Sequence, residues 1–586
     1  MDCIIASMKE PRVVRAGPLL VALVAAASFA GALDNGIVWD DPVVLDEQLP
    51  RWSGGREALL APADAPQATP HYYRPAVILS YQLDRAIAGR SEGRPSTDAA
   101  LIRTMHATNV VLHAGATALV FALGRALLPV ATVSPVVPFA AALLFAVHPI
   151  HVESVAWIAG RSDLLCTVFG LLAALAWLAA RTRSQAVPAA GAAAAALASF
   201  LAKETGLSLV LLAPLLLLSP LPRDPRWRRP REAALPLLFL GGACLTYAAL
   251  RASALPPGSD ALGDRPGSAV AATLGALGWY AVKLVWPLPA CALVGTPPGG
   301  PWVVAGLIVV LAAASFLGWS WSRRSVDAER IAFSLLVVTL LPALPVAARL
   351  VAKTSVAERY LYLPSAGFCL LVALLAARAT HRSLATALVL VGAAAGAGAT
   401  VLGTEVFADP FTFWERTART CRGHGQPLLE YGILLGARGR TDEAIAAFEG
   451  ALAEYGGEQP GTSWALNNLG NELRAAGRLP EAIERLRASV AGQPDYARAR
   501  YNLALALLDA ARDAPDPRPI LEETRSQLEE SVRLDPGHPG ARLQYGLLLR
   551  RLGRHVEGDE QLREVLHLAP QSPFAERARD ALRAPP

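Results

Sequence analysis

Charge is scarce in this chain. Only 18% of its 586 residues are Asp, Glu, Lys or Arg, whereas 53% are hydrophobic and the mean hydropathy is +0.35, a balance that does not suit a soluble protein of this length. Cysteine is equally thin. Cys3, Cys166, Cys244, Cys291, Cys369 and Cys421 are scattered, four of them in or beside apolar segments, and without the spacing of a metal ligand set they read as small buried residues. The net charge of +5 comes without a Lys/Arg block interleaved with aromatics, so nucleic acid is set aside as a partner. The HExxH pattern of zinc proteases is missing as well, since His148 and His151 are separated by Pro149 and Ile150.

What is there is a division of the sequence into two domains. Up to about residue 405 the apolar residues fall in runs long enough to cross a bilayer, and from Glu405 onward the chain turns charged and amphipathic, so residues 1–420 read as a polytopic helical membrane domain and 421–586 as a second domain. Lys9, Arg12 and Arg15 precede an apolar run from Ala16 to Leu33, which reads as an uncleaved first helix. Candidate spans then follow at 104–128, 134–148, 163–180, 185–202, 205–220, 233–250, 302–320, 331–349, 361–378 and 384–404, a total of about eleven. The positive-inside rule places the basic N-terminus, Arg181 with Arg183, the loop LPRDPRWRRPRE, Arg323 with Arg324, and Arg378 with Arg382 on the cytoplasmic side, which requires an odd number of crossings. The further apolar stretch 268–289 is therefore expected to lie in the interface or to re-enter.

With that orientation every unusual polar segment falls on the outer face. HPIHVESVAWIAGRSD, residues 148–163, gathers His148, His151, Glu153, Arg161 and Asp163 where a plain turn would suffice, although a charged group near the hydrocarbon costs roughly 2.5–3.5 kcal/mol. The plainer reading is a hydrated loop with snorkelling ends. The same face receives the Lys203–Glu204 turn and AKTSVAERYLYLP. Arg161, Lys203, Lys353 and Arg359 break the positive-inside bias there, as cations kept for an anionic ligand such as phosphate would do; statistical leakage is the alternative.

The first outer loop opens with DNGIVWDDPVVLDEQ, continues through HYYRPAVILSYQLD and leads to MHATNVVLH, where His106, Asn109 and His113 recur at helical spacing. The carboxylates of Asp40 and Asp41 suit a general base that takes the proton of an attacking hydroxyl, a divalent cation site that neutralises a phosphate leaving group, or simply a helix cap. Tyr72, Tyr73, Trp157 and Tyr360 could stack on sugar or isoprenoid, or serve as interfacial belt residues.

The C-terminal domain repeats itself. Small residues recur at Gly432, Gly470, Ala504 and Gly546, second-helix positions at Ala444, Ala482, Thr524 and Gly558, large partners at Phe448, Leu486, Leu528 and Leu562, and terminators at Gly456, Pro494, Pro536 and Pro570. The pattern resembles tetratricopeptide repeats, with an insertion, RDAPDPRP, in the third and a capping helix over Phe574–Leu582. Stacked pairs of this kind form an α-solenoid with a groove suited to extended peptides.

Taken together, the Asp-Asp pair after the first span, YYRP followed by LD, the His-Asn-His helix start, HPIHVESVAWIAGRSD, the LAKE turn and AERYLYLPS, joined to tetratricopeptide repeats, resemble the transmembrane and tetratricopeptide-repeat O-mannosyltransferases and their bacterial relatives. That resemblance implies an all-α protein: a polytopic membrane domain of the glycosyltransferase C type followed by the solenoid, in a bacterial inner membrane with the repeats on the periplasmic side. It implies transfer of mannose or another hexose from a polyprenyl-phosphate carrier, with inversion, to Ser or Thr of an acceptor docked by the repeats. Asp40 and Asp41 match the family's catalytic acidic pair, with a divalent cation possible there, and Glu358, Arg359 and Tyr360 match its late outer motif. Arg161, Lys203 and Arg359 are the candidates for stabilising the departing phosphate, with His148 or His151 as neutral donors. Arg74, His106, Glu153, Asp163 and Glu204 complete the expected donor-phosphate or substrate site. The rival readings are a non-catalytic membrane scaffold organising envelope partners and a glycosyltransferase acting on a polysaccharide or lipid.

Overall fold

The computed structural model describes residues 12–51, 73–89, 94–128, 136–180, 186–218, 230–254, 269–288, 299–322, 327–349, 356–421, 423–456 and 460–584. Lys353, Tyr72, Arg181, Arg183, Arg323, Arg324 and residues 221–229 of the arginine-rich loop lie outside them. The fold is helical, with no strand longer than a single bridge residue among the described residues, and it divides into two compact units, Met1–Arg416 and Thr417–Pro586.

In the first unit seven helices are long and apolar enough to cross a membrane, from Ala99–Leu127 to Arg382–Phe407, and an eighth crossing is available if Val136–Ala146 and Pro149–Ala156, bent by 49°, count as one broken span. Shorter apolar helices cover Ala16–Ser28, Ala186–Ala202, Glu204–Leu218 and Ala269–Val285. Ala99–Leu127 shows how the sequence builds such an element. Asp98 caps it by accepting from the backbone N–H of Ala100 and Leu101, and the row His106, Asn109, His113 and Thr117 turns inward, fully buried, while Val111 faces out. The sequence between His148 and Asp163 is not the hydrated loop considered above. Pro149–His151, Val152–Ala156 and Ile158–Gly160 form consecutive helical turns packed inside the unit, because His148 caps the first turn and Gly160 lets the last one fold back: a Cβ there would lie 2.6 Å from the Ser154 carbonyl.

The second unit is four antiparallel helix pairs, Gly425–Ala437 with Thr441–Tyr455, Pro460–Ala475 with Leu479–Gly492, Ala497–Ala510 with Arg518–Leu534, and Pro539–Arg551 with His555–Leu568, closed by Pro573–Arg583. The small positions act as the spacing demands. A Cβ on Gly432 would meet Phe448 at 2.6 Å, one on Gly470 would meet Leu486 at 2.5 Å, and Ala504 shares a core cluster with Leu528. The insertion in the third repeat lengthens the connection between its helices and supplies Arg518 and Pro519 to the start of the second one, Arg518–Leu534.

Candidate functional site

The acidic pair sits on a tight turn pinned from three sides. The Asn35 amide donates to the Thr404 carbonyl, the Gly36 N–H donates to the Ala408 carbonyl at 2.7 Å, and the Gly36 carbonyl accepts from Nε2 of His106 at 3.2 Å. The turn itself closes between Val38 and Asp41: the Asp41 N–H donates to the Val38 carbonyl at 3.0 Å, and the Val38 N–H donates to Oδ2 of Asp41 at 2.9 Å. Between them Trp39 takes φ +55°, the one positive φ outside glycine among the described residues.

This geometry separates two carboxylates that look equivalent in the sequence. Asp41 is fully buried, and its other oxygen accepts the Ala159 N–H at 3.2 Å; burial pushes its carboxyl well above the usual range, and the charge of Asp40 adds to that, against the two backbone donors. Asp40 is exposed. Each oxygen of Asp41 is engaged with a backbone N–H, so the two carboxylates are held in different surroundings. Among the described residues no group of three or more His, Cys, Asp or Glu side chains converges as a metal site.

Beside this turn lies a cluster of alternating acids and cations. The Arg359 guanidinium pairs with Glu153, whose second oxygen accepts the Arg359 backbone N–H at 2.9 Å, and the guanidinium lies 5.6, 5.4 and 5.3 Å from the ring centres of Trp39, Trp157 and Tyr360. Lys203 reaches the same Tyr360 ring at 5.1 Å while its ammonium donates to Asp163 at 2.6 Å; burial holds this ammonium below the ordinary lysine range, against the pull of Asp163. Arg74 donates through Nε and Nη2 to one oxygen of Glu204 at 3.2 and 2.9 Å. Thus HPIHVESVAWIAGRSD, the LAKE turn, YYRP and AERYLYLPS, far apart in sequence, meet through Glu153, Lys203, Arg74 and Arg359.

Three expected phosphate ligands take other places. Arg161 is completely buried and heavily engaged: it pairs with Asp84 at 2.5 Å, donates to Asn109 Oδ1 at 2.8 Å, to the Met105 carbonyl at 2.7 Å and to Ser80 at 3.3 Å, and lies over the Tyr81 ring. It bolts Pro75–Ala88 to Ala99–Leu127 and presents no exposed N–H to a ligand. His148 and His151 are each engaged through Nε2, the first at 3.0 Å from the Leu284 carbonyl and the second at 2.8 Å from Ser365 Oγ, while Nδ1 of His151 is buried with no hydrogen-bond partner. One charged residue escaped the sequence reading. Lys283, on Ala269–Val285, pairs with Glu358 at 2.8 Å, next to Arg359. A lone lysine in an apolar stretch was the available signal.

Comparison with known proteins gives one family model and several curated relatives. The family model of the tetratricopeptide repeat matches residues 425–495, the first two helix pairs. The chain is 37% identical over 153 residues to the protein O-mannosyl-transferase Tmtc1 of Drosophila melanogaster, covering 26% of this chain and 16% of that protein. It is 38% identical over 106 residues to mouse TMTC2, 18% of this chain and 11% of the relative, and 29% identical over 178 residues to human TMTC4, 27% of this chain and 22% of the relative. The matched stretches thus span less than a quarter of these curated relatives, which carry the resemblance seen in the sequence. Among solved structures, a thermophilic tetratricopeptide-repeat protein of Thermus thermophilus aligns over 27% of this chain and 80% of its own, with 28% identity and a TM-score of 0.24.

Proposed function

We propose that the chain is a membrane glycosyltransferase that moves a hexose, mannose in the first instance, from a polyprenyl-phosphate carrier to a Ser or Thr hydroxyl of a protein acceptor on the outer face of the membrane, and that the repeats recruit the acceptor. The observation that carries this reading is that the exposed carboxylate Asp40 follows directly in the chain on Trp39, whose ring lies under the desolvated Arg359 guanidinium. In the reaction the acceptor oxygen bonds to the anomeric carbon as the bond from that carbon to the phosphate oxygen breaks. The hydroxyl proton passes to Asp40, and the electron pair leaves with the phosphate, whose charge Arg359 and Lys203 stabilise. Attack opposite the leaving group inverts the anomeric centre. The similarity to proteins named O-mannosyl-transferases supports the same assignment.

The test uses the full chain in lipid nanodiscs, polyprenyl-phosphate-linked radiolabelled mannose and a membrane-protein fraction as acceptor. Asp40→Asn is expected to lower transfer by about 10²–10⁴-fold, the range of a lost general base, with the amount of folded protein unchanged. Wild-type transfer by that variant would sink the reading. A second reading has one observation in its favour: Arg74, Lys203, Lys283 and Arg359 are each already paired with an acid, as in a non-catalytic scaffold. It predicts no transfer by the wild type and no effect of Arg359→Lys.

A further inference from the structure

The left-handed backbone at Trp39 has a physical cost. A bulky residue at positive φ is disfavoured by about 1–3 kcal/mol, and such a conformation persists only where its surroundings fix it. Here they fix it on two sides. The reciprocal bonds between Val38 and Asp41 close the turn around it, and the indole lies nearly parallel to that of Trp157, centroids 4.8 Å apart at 11°, with the Phe413 and Trp414 rings behind it at 6.2 and 6.4 Å. Glycine would adopt this turn without strain, and a loop that merely had to reverse would be served by it. The chain instead spends its largest side chain there, and that side chain has a second contact: the Arg359 guanidinium lies over the Trp39 ring as well as over Trp157.

Trp39 thus joins two parts of the reaction proposed above. Its backbone is bonded directly to Asp40, so the φ at residue 39 sets where the Asp40 carboxylate emerges. Its ring forms part of the floor beneath Arg359, the cation assigned to the leaving phosphate. We propose that Trp39 is a positioning residue that fixes the distance between the base and the phosphate-stabilising cation, touching neither reacting atom itself. The inference rests on the glycosyltransferase reading, and it adds a residue that the motifs alone do not single out, since in the sequence Trp39 reads only as an apolar neighbour of the acidic pair.

The prediction follows from how steeply group transfer depends on placement, where a misplacement of about 1 Å costs on the order of 10²-fold. In the nanodisc assay with polyprenyl-phosphate mannose, Trp39→Gly keeps the turn but removes the ring, and is expected to lower kcat about 10²-fold and to raise the donor KM. Trp39→Phe keeps a flat ring and is expected to stay within about threefold of wild type, on the same dependence. Trp157→Leu leaves residue 39 untouched, removes its stacking partner and is expected to reproduce the kcat loss. In a double-mutant cycle, Arg359→Lys should cost much less in the Trp39→Gly background than alone, because the two groups act through one arrangement. A merely structural tryptophan would lower the amount of folded protein without changing kcat per folded molecule. Wild-type kcat in Trp39→Gly or in Trp157→Leu, beside an inactive Asp40→Asn, overturns the role of Trp39 and leaves the enzyme reading standing; so does strict additivity in the cycle. An active Asp40→Asn instead removes the enzyme reading on which the inference rests.

Discussion

Three buried ion pairs of the membrane unit and three short-range pairs of the repeats are made from the same residue types and differ in reach and in solvent. Arg161–Asp84, Lys203–Asp163 and Lys283–Glu358 join residues 40 or more positions apart, and each partner is less than a tenth exposed. Arg440–Glu443, Arg478–Glu481 and Arg554–Glu557 join residues three apart at the start of the second helix of a repeat, with both partners about half exposed. In the first unit a charge is tolerated only because a specific partner from another element meets it; in the second, water would serve nearly as well. Charge at these buried pairs therefore helps fix which membrane elements meet, while within each repeat the helices meet through the fit of small residues against large ones.

The sharpest way to break that contrast is to leave one buried charge alone. Arg161→Met strands Asp84 in the interior and removes the donors to Asn109, Met105 and Ser80, and it is expected to destabilise the membrane unit by about 3–5 kcal/mol, the usual cost of removing one partner of a buried pair. Accumulation in the membrane and the unfolding midpoint in detergent would read the loss. Arg161→Met combined with Asp84→Leu should recover much of it, because no unpaired charge remains. If Arg161→Met accumulates and unfolds like wild type, the guanidinium is not the bolt described here.

A smaller effect separates the two neighbouring aspartates. Asp41→Asn is expected to cost about 1–3 kcal/mol, since the amide can accept only one of the two backbone N–H groups that the carboxyl now satisfies. It should also change the pH dependence of stability. The folded-state pKa of Asp41 lies well above its ordinary 3.8, so its contribution is fully present below that value and is lost as pH rises through the folded value. Between these limits the folded chain holds more protons than the unfolded one, and the unfolding midpoint falls as pH rises. Midpoints measured from about pH 4 upward should flatten in Asp41→Asn; an undiminished slope would assign the dependence to another group.

How much of this was legible in the sequence follows the same division. The repeats were readable because their determinants are local: Gly432, Gly470 and Gly546 meet Phe448, Leu486 and Leu562 within one helix pair, so position alone predicts contact. The long membrane helices were readable from apolar length, but their number was not: apolar runs point to about eleven spans, whereas seven described helices, or eight with the broken pair, are long enough to cross. The site was readable only as a set of motifs. That Glu153 and Arg359 converge was within reach, but nothing in the sequence shows that Arg161 is claimed by Asp84, 77 residues earlier, and so is closed to a ligand. Asp40 and Asp41 differ because the chain reverses at Trp39, a φ that only the surrounding rings and bonds impose. Lys283 lies in the apolar stretch 268–289 that the sequence places in the interface or in a re-entrant segment, and a charge in such a helix is itself a signal.

The mildest test lies in the repeats. Arg478 and Glu481 form a two-pronged pair, with Nε and Nη2 of the arginine donating to the two carboxylate oxygens at 2.7 and 2.6 Å, geometry better than that of most pairs in the membrane unit. Geometry alone would rank it among the strongest. Yet the two side chains are 46% and 51% exposed, so water competes for every donor and acceptor, and salt screens what attraction is left. Arg478→Ala should therefore leave the unfolding midpoint of the repeats unchanged, at low salt as at high salt, because Glu481 is left in water and its place in the first turn of Leu479–Gly492 still favours a negative charge. A loss comparable to that of Arg161→Met would show that the repeats, too, are held by specific charge pairing, and the contrast between buried and exposed pairs would fail.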